Sequence, residues 1–248
     1  MTGRPHRALA SPLLWVGLFF LALLLRMDEL RPLLRRAFPQ AHPAIYQRAS
    51  FPALFLSHLE LVVAASLSAG LVGVALAIFV TRRAGEDFRG IVNALAAVGQ
   101  TFPPVAVLAV AVPVVGFGPL PTVIALFLYG LLPIVENAIA GLEGVPAAVR
   151  EAARGMGFSE RAILVQVDLP LAAPVMLAGL RTSVTIGIGT ATIGSTVGAV
   201  TLGTPIFDGL AGNNLAFIAE GAVLTALFAI LTDMLFARLE LRLRRGIG

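Results

Sequence analysis

The chain has 248 residues, of which 58% are hydrophobic and 13% charged, with a mean hydropathy of +0.91. Soluble domains carry about a quarter of charged residues, so this composition excludes a soluble globular protein and assigns the chain to a membrane. Cysteine is absent, which rules out disulfides, thiolate metal sites and a cysteine nucleophile; the formal charge of +4 is carried by arginine alone, in no basic stripe with interleaved aromatics, which excludes a nucleic-acid surface.

Residues 1–10 include Arg4, His6 and Arg7 and precede an apolar run over 12–25. A basic start before a short apolar run has the form of a secretory signal. The following Arg26-Met27-Asp28-Glu29 lacks a small-residue cleavage site, so a short, retained first helix is expected, with His6 solvated in the tail. Residues 27–52 are polar and broken by Pro32, Pro39, Pro43 and Pro52, the pattern of an outer loop with short helical pieces. A second apolar run over 54–80 opens with Ser57-His58-Leu59-Glu60 and closes with Thr81-Arg82-Arg83. It is long enough to span, since about 20 residues cross the hydrocarbon core. His58 and Glu60 are expected at the interface with their polar ends wet.

After a charged turn over 82–90, a third span over 91–115 is interrupted by Gln100-Thr101-Phe102-Pro103-Pro104. Proline is tolerated in a membrane helix where neighbouring groups or cavity water satisfy the freed carbonyls. The kink should therefore face protein or a pathway, and Gln100, Thr101 and Pro103 are candidate pathway residues. Gly116-Phe117-Gly118-Pro119 makes a turn into a fourth span over 120–140, which contains Pro133, Glu136 and Asn137.

The longest polar interval between two apolar blocks comes next, over 143–170, and reads as helix, break, helix. Pro146 suits a first helical position and Gly157 the left-handed residue past a helix end. Between them Val149, Ala152, Ala153 and Met156 share a small, smooth face at helical spacing. Ser159 is a candidate N-cap for a second short helix that presents Ile163, Leu164 and Val167 and stops before Pro170. A fifth span over 171–200 is dense in Gly, Ser and Thr, which permits close helix packing. Its Thr185, Gly189 and Thr192 are candidate lining of a translocation path. Residues 201–214 form an outer loop or re-entrant hairpin, and a sixth span over 215–237 ends in Arg238-Leu239-Glu240-Leu241-Arg242-Leu243-Arg244-Arg245.

With the N-terminus inside, twelve arginines fall in inner segments and five, Arg26, Arg31, Arg35, Arg36 and Arg48, in outer ones. The bias puts both termini and the 143–170 loop in the cytoplasm. Glu136, Arg181, Glu220 and Asp233 are ionisable groups inside spans, which cost roughly 2.5–3.5 kcal/mol to insert and so are functional candidates. A Glu136–Arg181 pair across facing helices is the preferred reading, with direct solute contact as the other. Glu220 could line the outer half of a pathway, and Asp233 could anchor the inner interface. No His-Glu-x-x-His, Gly-x-Ser-x-Gly or lysine-bearing phosphate loop is present, and the three histidines lack ligand spacing, so no catalytic or metal site is expected.

Glu151-Ala152-Ala153, three residues, Gly157, nine residues, Val167-Asp168-Leu169-Pro170 resembles the EAA loop of bacterial ABC-importer permeases, with Val167 in place of isoleucine. The likeness implies that Glu151, Ala152, Ala153, Gly157, Val167, Leu169 and Pro170 couple to a cytoplasmic ATPase. Gln100-Thr101-Phe102-Pro103, residues 125–134, Asn137, Gly179-Leu180-Arg181-Thr182 and residues 188–193 look like permeases of osmoprotectant importers, which move glycine betaine, choline, carnitine or related quaternary amines. Within 57–240, about three quarters of the chain, the resemblance implies an all-α type I importer fold of about six transmembrane helices with a cytoplasmic coupling loop at 141–170, the whole chain forming one permease domain after an N-terminal helix and outer loop over 1–56. It further implies a bacterial inner-membrane location, a second permease copy or homologue, two ATPase subunits that hold the ATP and magnesium, and an external solute-binding protein. No cofactor is expected in this chain itself. The family's Gly-Ala-Gly-Gly-Leu-Gly is here Gly198-Ala199-Val200-Thr201-Leu202-Gly203, two glycines fewer. Trp15, Tyr46 and Tyr129 are not grouped into an aromatic cage, so cation selectivity is expected to lie in the binding protein. The competing readings are an amino-acid permease of the methionine type, a gradient-driven secondary transporter, for which no internal repeat is found, and a membrane scaffold.

Overall fold

The structure is a computed structural model that describes residues 12–247, with the side chains of the last four of these left aside. The basic tail with Arg4, His6 and Arg7 lies outside the described residues. Every regular element described is helical. In chain order these are α1 (Pro12–Arg26), a tight turn of helix (Met27–Leu30), α2 (Arg31–Ala37), α3 (Phe51–Val80), a second tight turn (Glu86–Phe88), α4 (Arg89–Thr101), α5 (Pro104–Val115), α6 (Pro119–Glu143), α7 (Ala147–Gly155), α8 (Glu160–Ile163), a widened π turn (Leu164–Asp168), α9 (Leu169–Ala191), a 3-10 segment (Thr192–Val197), α10 (Thr204–Ala211) and α11 (Leu215–Ile247).

Four stretches among the described residues are long and apolar enough to cross a membrane: Phe51–Val80, Pro119–Glu143, Glu160–Val197 and Leu215–Leu243. The expected third span is instead a bent pair, Glu86–Thr101 and Pro104–Val115, turned by 96° at Phe102-Pro103. The residue before a proline is held out of the helical region, and Phe102 accordingly has ψ 136°. The first apolar run is the 15-residue α1, about 22 Å of helix against roughly 30 Å of hydrocarbon.

The chain forms two compact units. One comprises Met1–Val63, Pro104–Val123 and Ile188–Leu235. Its core contains Phe20, Phe55 and Phe228, with ring centroids 5.2 Å apart for Phe20–Phe55 and 5.0 Å for Phe55–Phe228. His58 packs edge-on against Phe228 and is fully buried, not wet as its interfacial position suggested. Its Nε2 lies 3.1 Å from the Ile188 carbonyl, while Nδ1 accepts the Leu202 N–H at 3.2 Å. Two backbone partners thus satisfy a neutral ring, which is why burial is tolerated. The loop between α2 and α3 is tied down in the same unit by Asn214 Nδ2 to the Pro43 carbonyl and by the Tyr46 hydroxyl to Asp208 (2.9 Å). Asp208 also pairs with Arg48. Of the five arginines expected outside, Arg26 pairs with Glu29 and Arg31 with Asp28, so with Arg48 three are locally neutralised.

The replaced glycines cost the hairpin nothing. Neither Val200 nor Thr201 has positive φ, and the buried Thr201 uses its hydroxyl to accept the Gly203 N–H at 2.9 Å and to meet Ser195 Oγ at 2.8 Å.

The other unit comprises Ala64–Pro103, Ile124–Gly187 and Phe236–Gly248. Its core is Ala77, Val80, Val92, Ala96, Leu131, Val135, Ala138, Ile139, Leu142 and Ala172. Small residues set the spacing here: a Cβ on Gly179 would stand 2.6 Å from the Pro133 carbonyl oxygen, so only glycine allows α9 to approach α6.

Candidate functional site

Within the second unit, the segment from Gly144 to Leu169 forms a knob. Pro146 is the N-cap of α7 (ψ 135°), one residue earlier than expected, and Ala147 opens the helix. The helix ends in a Schellman motif: Gly157 adopts φ +84° and donates to Arg154 O, while Phe158 N–H reaches Ala153 O at 3.1 Å. Ser159 then caps α8 by accepting the Ala162 N–H. Of the expected smooth face, Val149, Ala152 and Met156 are exposed, Met156 by 70%, whereas Ala153 turns inward and is buried. Glu151 and Gly157 are exposed beside them.

The second helix does not stop at Pro170. It passes through the π turn, where Leu169 N–H bonds Leu164 O five residues back, and continues as α9. Pro170 therefore lies inside a continuous helical run, where it withholds a backbone donor, and the widened π turn directly before it is where the run departs from regular α geometry. Ile163 is fully buried and Leu164, Val167 and Leu169 partly so, which roots the knob in the unit.

What anchors it electrostatically is Asp168, a residue not singled out from the sequence. Asp168 is completely buried and receives Arg82 Nη2 at 2.7 Å and Arg150 Nε at 2.8 Å on separate oxygens. Arg150 Nη2 also donates to the Leu142 carbonyl at the end of α6. One carboxylate therefore joins the end of α3, α7 and the start of α9, while Arg150 adds the end of α6. On the exposed rim Arg154 pairs with Glu160 at 2.8 Å, which holds the Glu160 carboxyl below its ordinary range.

The candidate pathway residues do not form one cluster. Pro133 leaves the Tyr129 carbonyl of α6 without its helical donor, and Gln100 Nε2 supplies one at 2.9 Å. In return the Tyr129 hydroxyl donates to the Phe102 carbonyl at the bend. Gln100 is thus a structural latch, while Thr101 and Pro103 are exposed beside it. Glu136 does not pair with Arg181. Glu136 is exposed on α6 and lines a cavity of about 140 Å³ with Arg89, Asn93 and Glu143, whereas Arg181 is placed 3.8 Å from Glu240. Three turns of α9 separate Arg181 from its base at Leu169, which brings it to the level of the C-terminal part of α11, where Glu240 lies. Thr185 and Thr192 donate to carbonyls of their own helical segment, Arg181 O and Gly189 O. Gly189 is exposed, with open space where a Cβ would stand. Glu220 is no pathway residue: it is 2% exposed and accepts the Tyr46 N–H at 3.0 Å.

Residues 70–245 match the family described as binding-protein-dependent transport system inner membrane component. The chain belongs to this family. The permease is 44% identical over 180 residues to the osmoprotectant import permease protein OsmY of Salmonella typhimurium, covering 73% of this chain and 76% of that one. It is 40% identical over 187 residues to the glycine betaine/carnitine/choline transport system permease protein OpuCD of Bacillus subtilis (75% and 81% covered) and 38% identical over 188 residues to the choline permease protein OpuBB of the same species (75% and 85%). Among solved structures it superposes on an inward-facing MetNI methionine ABC transporter with TM-score 0.68 at 20% identity, over 76% of this chain and 93% of that one. That likeness fixes the fold of a multi-pass ABC-importer permease.

Proposed function

We propose that this permease carries osmoprotectants of the quaternary-amine class, such as glycine betaine, choline or carnitine, from an external binding protein into the cell, driven by partner ATPases. The observation that carries the reading is that relatives at 38–44% identity over about three quarters of the chain are named for osmoprotectant, glycine betaine, carnitine and choline transport. The methionine transporter structures that the chain superposes on are 20–21% identical and carry the fold alone.

In this account Glu151, Ala152, Ala153, Gly157, Val167, Leu169 and Pro170 build the ATPase-docking knob, with Val149, Ala152 and Met156 as its contact face. Ala153, Val167 and Leu169 act from inside by rooting it. The loop and both termini face the cytoplasm, in keeping with the arginine bias. Thr101, Pro103, Glu136, Arg181, Thr185, Gly189 and Thr192 border the path, Gln100 holds the bend, and ATP and magnesium bind only on the partner. Solute choice lies with the binding protein, since both tyrosines are committed to structure: Tyr46 to Asp208 and Tyr129 to the Phe102 carbonyl.

Uptake of radiolabelled glycine betaine, choline and methionine by cells expressing the full complex tests the reading. Uptake of either quaternary amine with no methionine uptake is expected; methionine uptake alone would overturn it.

A further inference from the structure

The turn between α3 and α4 and the knob border a cavity of about 800 Å³. Its wall carries four arginines, Arg82, Arg83, Arg150 and Arg154, against the carboxylates of Glu143 and Glu160. Both carboxylates are already engaged, Glu143 by Arg89 and Glu160 by Arg154. Behind the wall a single carboxylate, Asp168, serves two arginines, and Arg83 makes no ion pair among the described residues. Glu86, Asp87 and Glu151 are exposed and line none of the wall. Two positive charges are left without a counter-charge.

The same turn leads into an apolar surface. Phe88, just before α4, Ile91, Leu95 and Val98 on it, and Phe102, just after it, recur at helical spacing and are 49–65% exposed. Phe79, at the end of α3, is 44% exposed and lies 5.9 Å from Phe88, ring to ring. A soluble anion would use the arginines alone. A cationic cradle at the end of an apolar span, continuous with an exposed apolar helix face, suits a molecule with an anionic head and hydrocarbon tails.

We propose that this cavity binds the phosphate of an anionic phospholipid headgroup, with the acyl chains along the outward face of α4. Arg83 supplies the charge and donors that the protein leaves open, and arginine's planar fork suits phosphate oxygens.

The test reads lipid and not transport, so it can fail while the transport reading stands. The assembled complex with its ATPases is equilibrated with phosphatidylglycerol and phosphatidylcholine in detergent, and retained lipid is counted by native mass spectrometry. Preferential retention of phosphatidylglycerol is expected, falling about fivefold in Arg83→Gln, partly restored in Arg83→Lys, which keeps the charge but not the fork, and unchanged in the control Arg48→Gln. Basal ATPase activity should not change, because Arg83 takes no part in the Asp168 clamp. Equal retention by Arg83→Gln and the parent would overturn the proposal. So would inorganic phosphate binding the delipidated complex as tightly as the lipid does, which would make this a soluble-anion site.

Discussion

Two buried carboxylates, one in each unit, solve the same problem differently. Asp168 has both oxygens on guanidinium groups, so its charge is cancelled and four helix ends are bound to it directly or through Arg150. Glu220 is almost as deeply buried, yet one oxygen takes a backbone N–H and the other meets no protein group. Charge-assisted bonds are about twice as strong as neutral ones, and breaking a buried pair strands the remaining charge. The first arrangement suits a joint that transmits force; the second suits a loop that only has to stay closed.

The comparison is broken most severely at Asp168. Asp168→Ala leaves Arg82 and Arg150 uncompensated, a cost of about 3–5 kcal/mol, and should abolish solute-stimulated ATP hydrolysis by the assembled complex. Asp168→Asn, which keeps the shape, should be less harmful to expression but still uncoupled; normal coupling in both variants would reduce the clamp to scaffolding. Next comes the face that the clamp presents. Met156→Asp should weaken ATPase association at least tenfold in pull-down titrations while leaving the permease's melting temperature within a degree or two, because the side chain is exposed.

Smaller effects are expected where the loop between α2 and α3 is tied down. Glu220→Gln can still accept from Tyr46 N–H, so its thermal stability should stay close to that of the parent, whereas Glu220→Ala should lose about 1–2 kcal/mol by orphaning that buried donor. A large loss in the glutamine variant would show that Glu220 works as a charge after all. The smallest effect is at Tyr46. Burial, reinforced by Asp208, pushes its hydroxyl up to about 12 from 10.0. Because the folded protein favours the neutral phenol, that contribution is complete below pH 10 and is lost as pH climbs towards 12. Tyr46→Phe should flatten the fall of melting temperature over that interval; an unchanged alkaline slope would contradict the assignment.

Much of the knob was legible in the sequence because its signals are local. Pro146, Gly157 and Ser159 each act within four residues, and all three mark helix boundaries to within one position. The bend at Phe102-Pro103 was legible for the same reason, although its 96° turn was not, since its size depends on how Gln100 and Tyr129 latch across helices. Long-range pairings were misread. His58 looked interfacial because its two partners lie 130 and 144 residues away, and the partners of Asp168 are 86 and 18 away. Asp168 also sits beside the apolar positions Val167 and Leu169 that drew attention to this stretch, and nothing in its local spacing marks it. Arg181 was assigned to Glu136 on depth alone; the approach of α11, which no local pattern encodes, brings Glu240 instead.

The natural absence of cysteine makes the decisive measurement clean. With Ala152→Cys as the only thiol, a membrane-impermeant maleimide should fail to label intact cells, should label inverted vesicles stripped of ATPase, and should be blocked when the ATPase is added back. Labelling from the outside, or labelling that the ATPase does not block, would contradict the claim that this knob is where the motor takes hold.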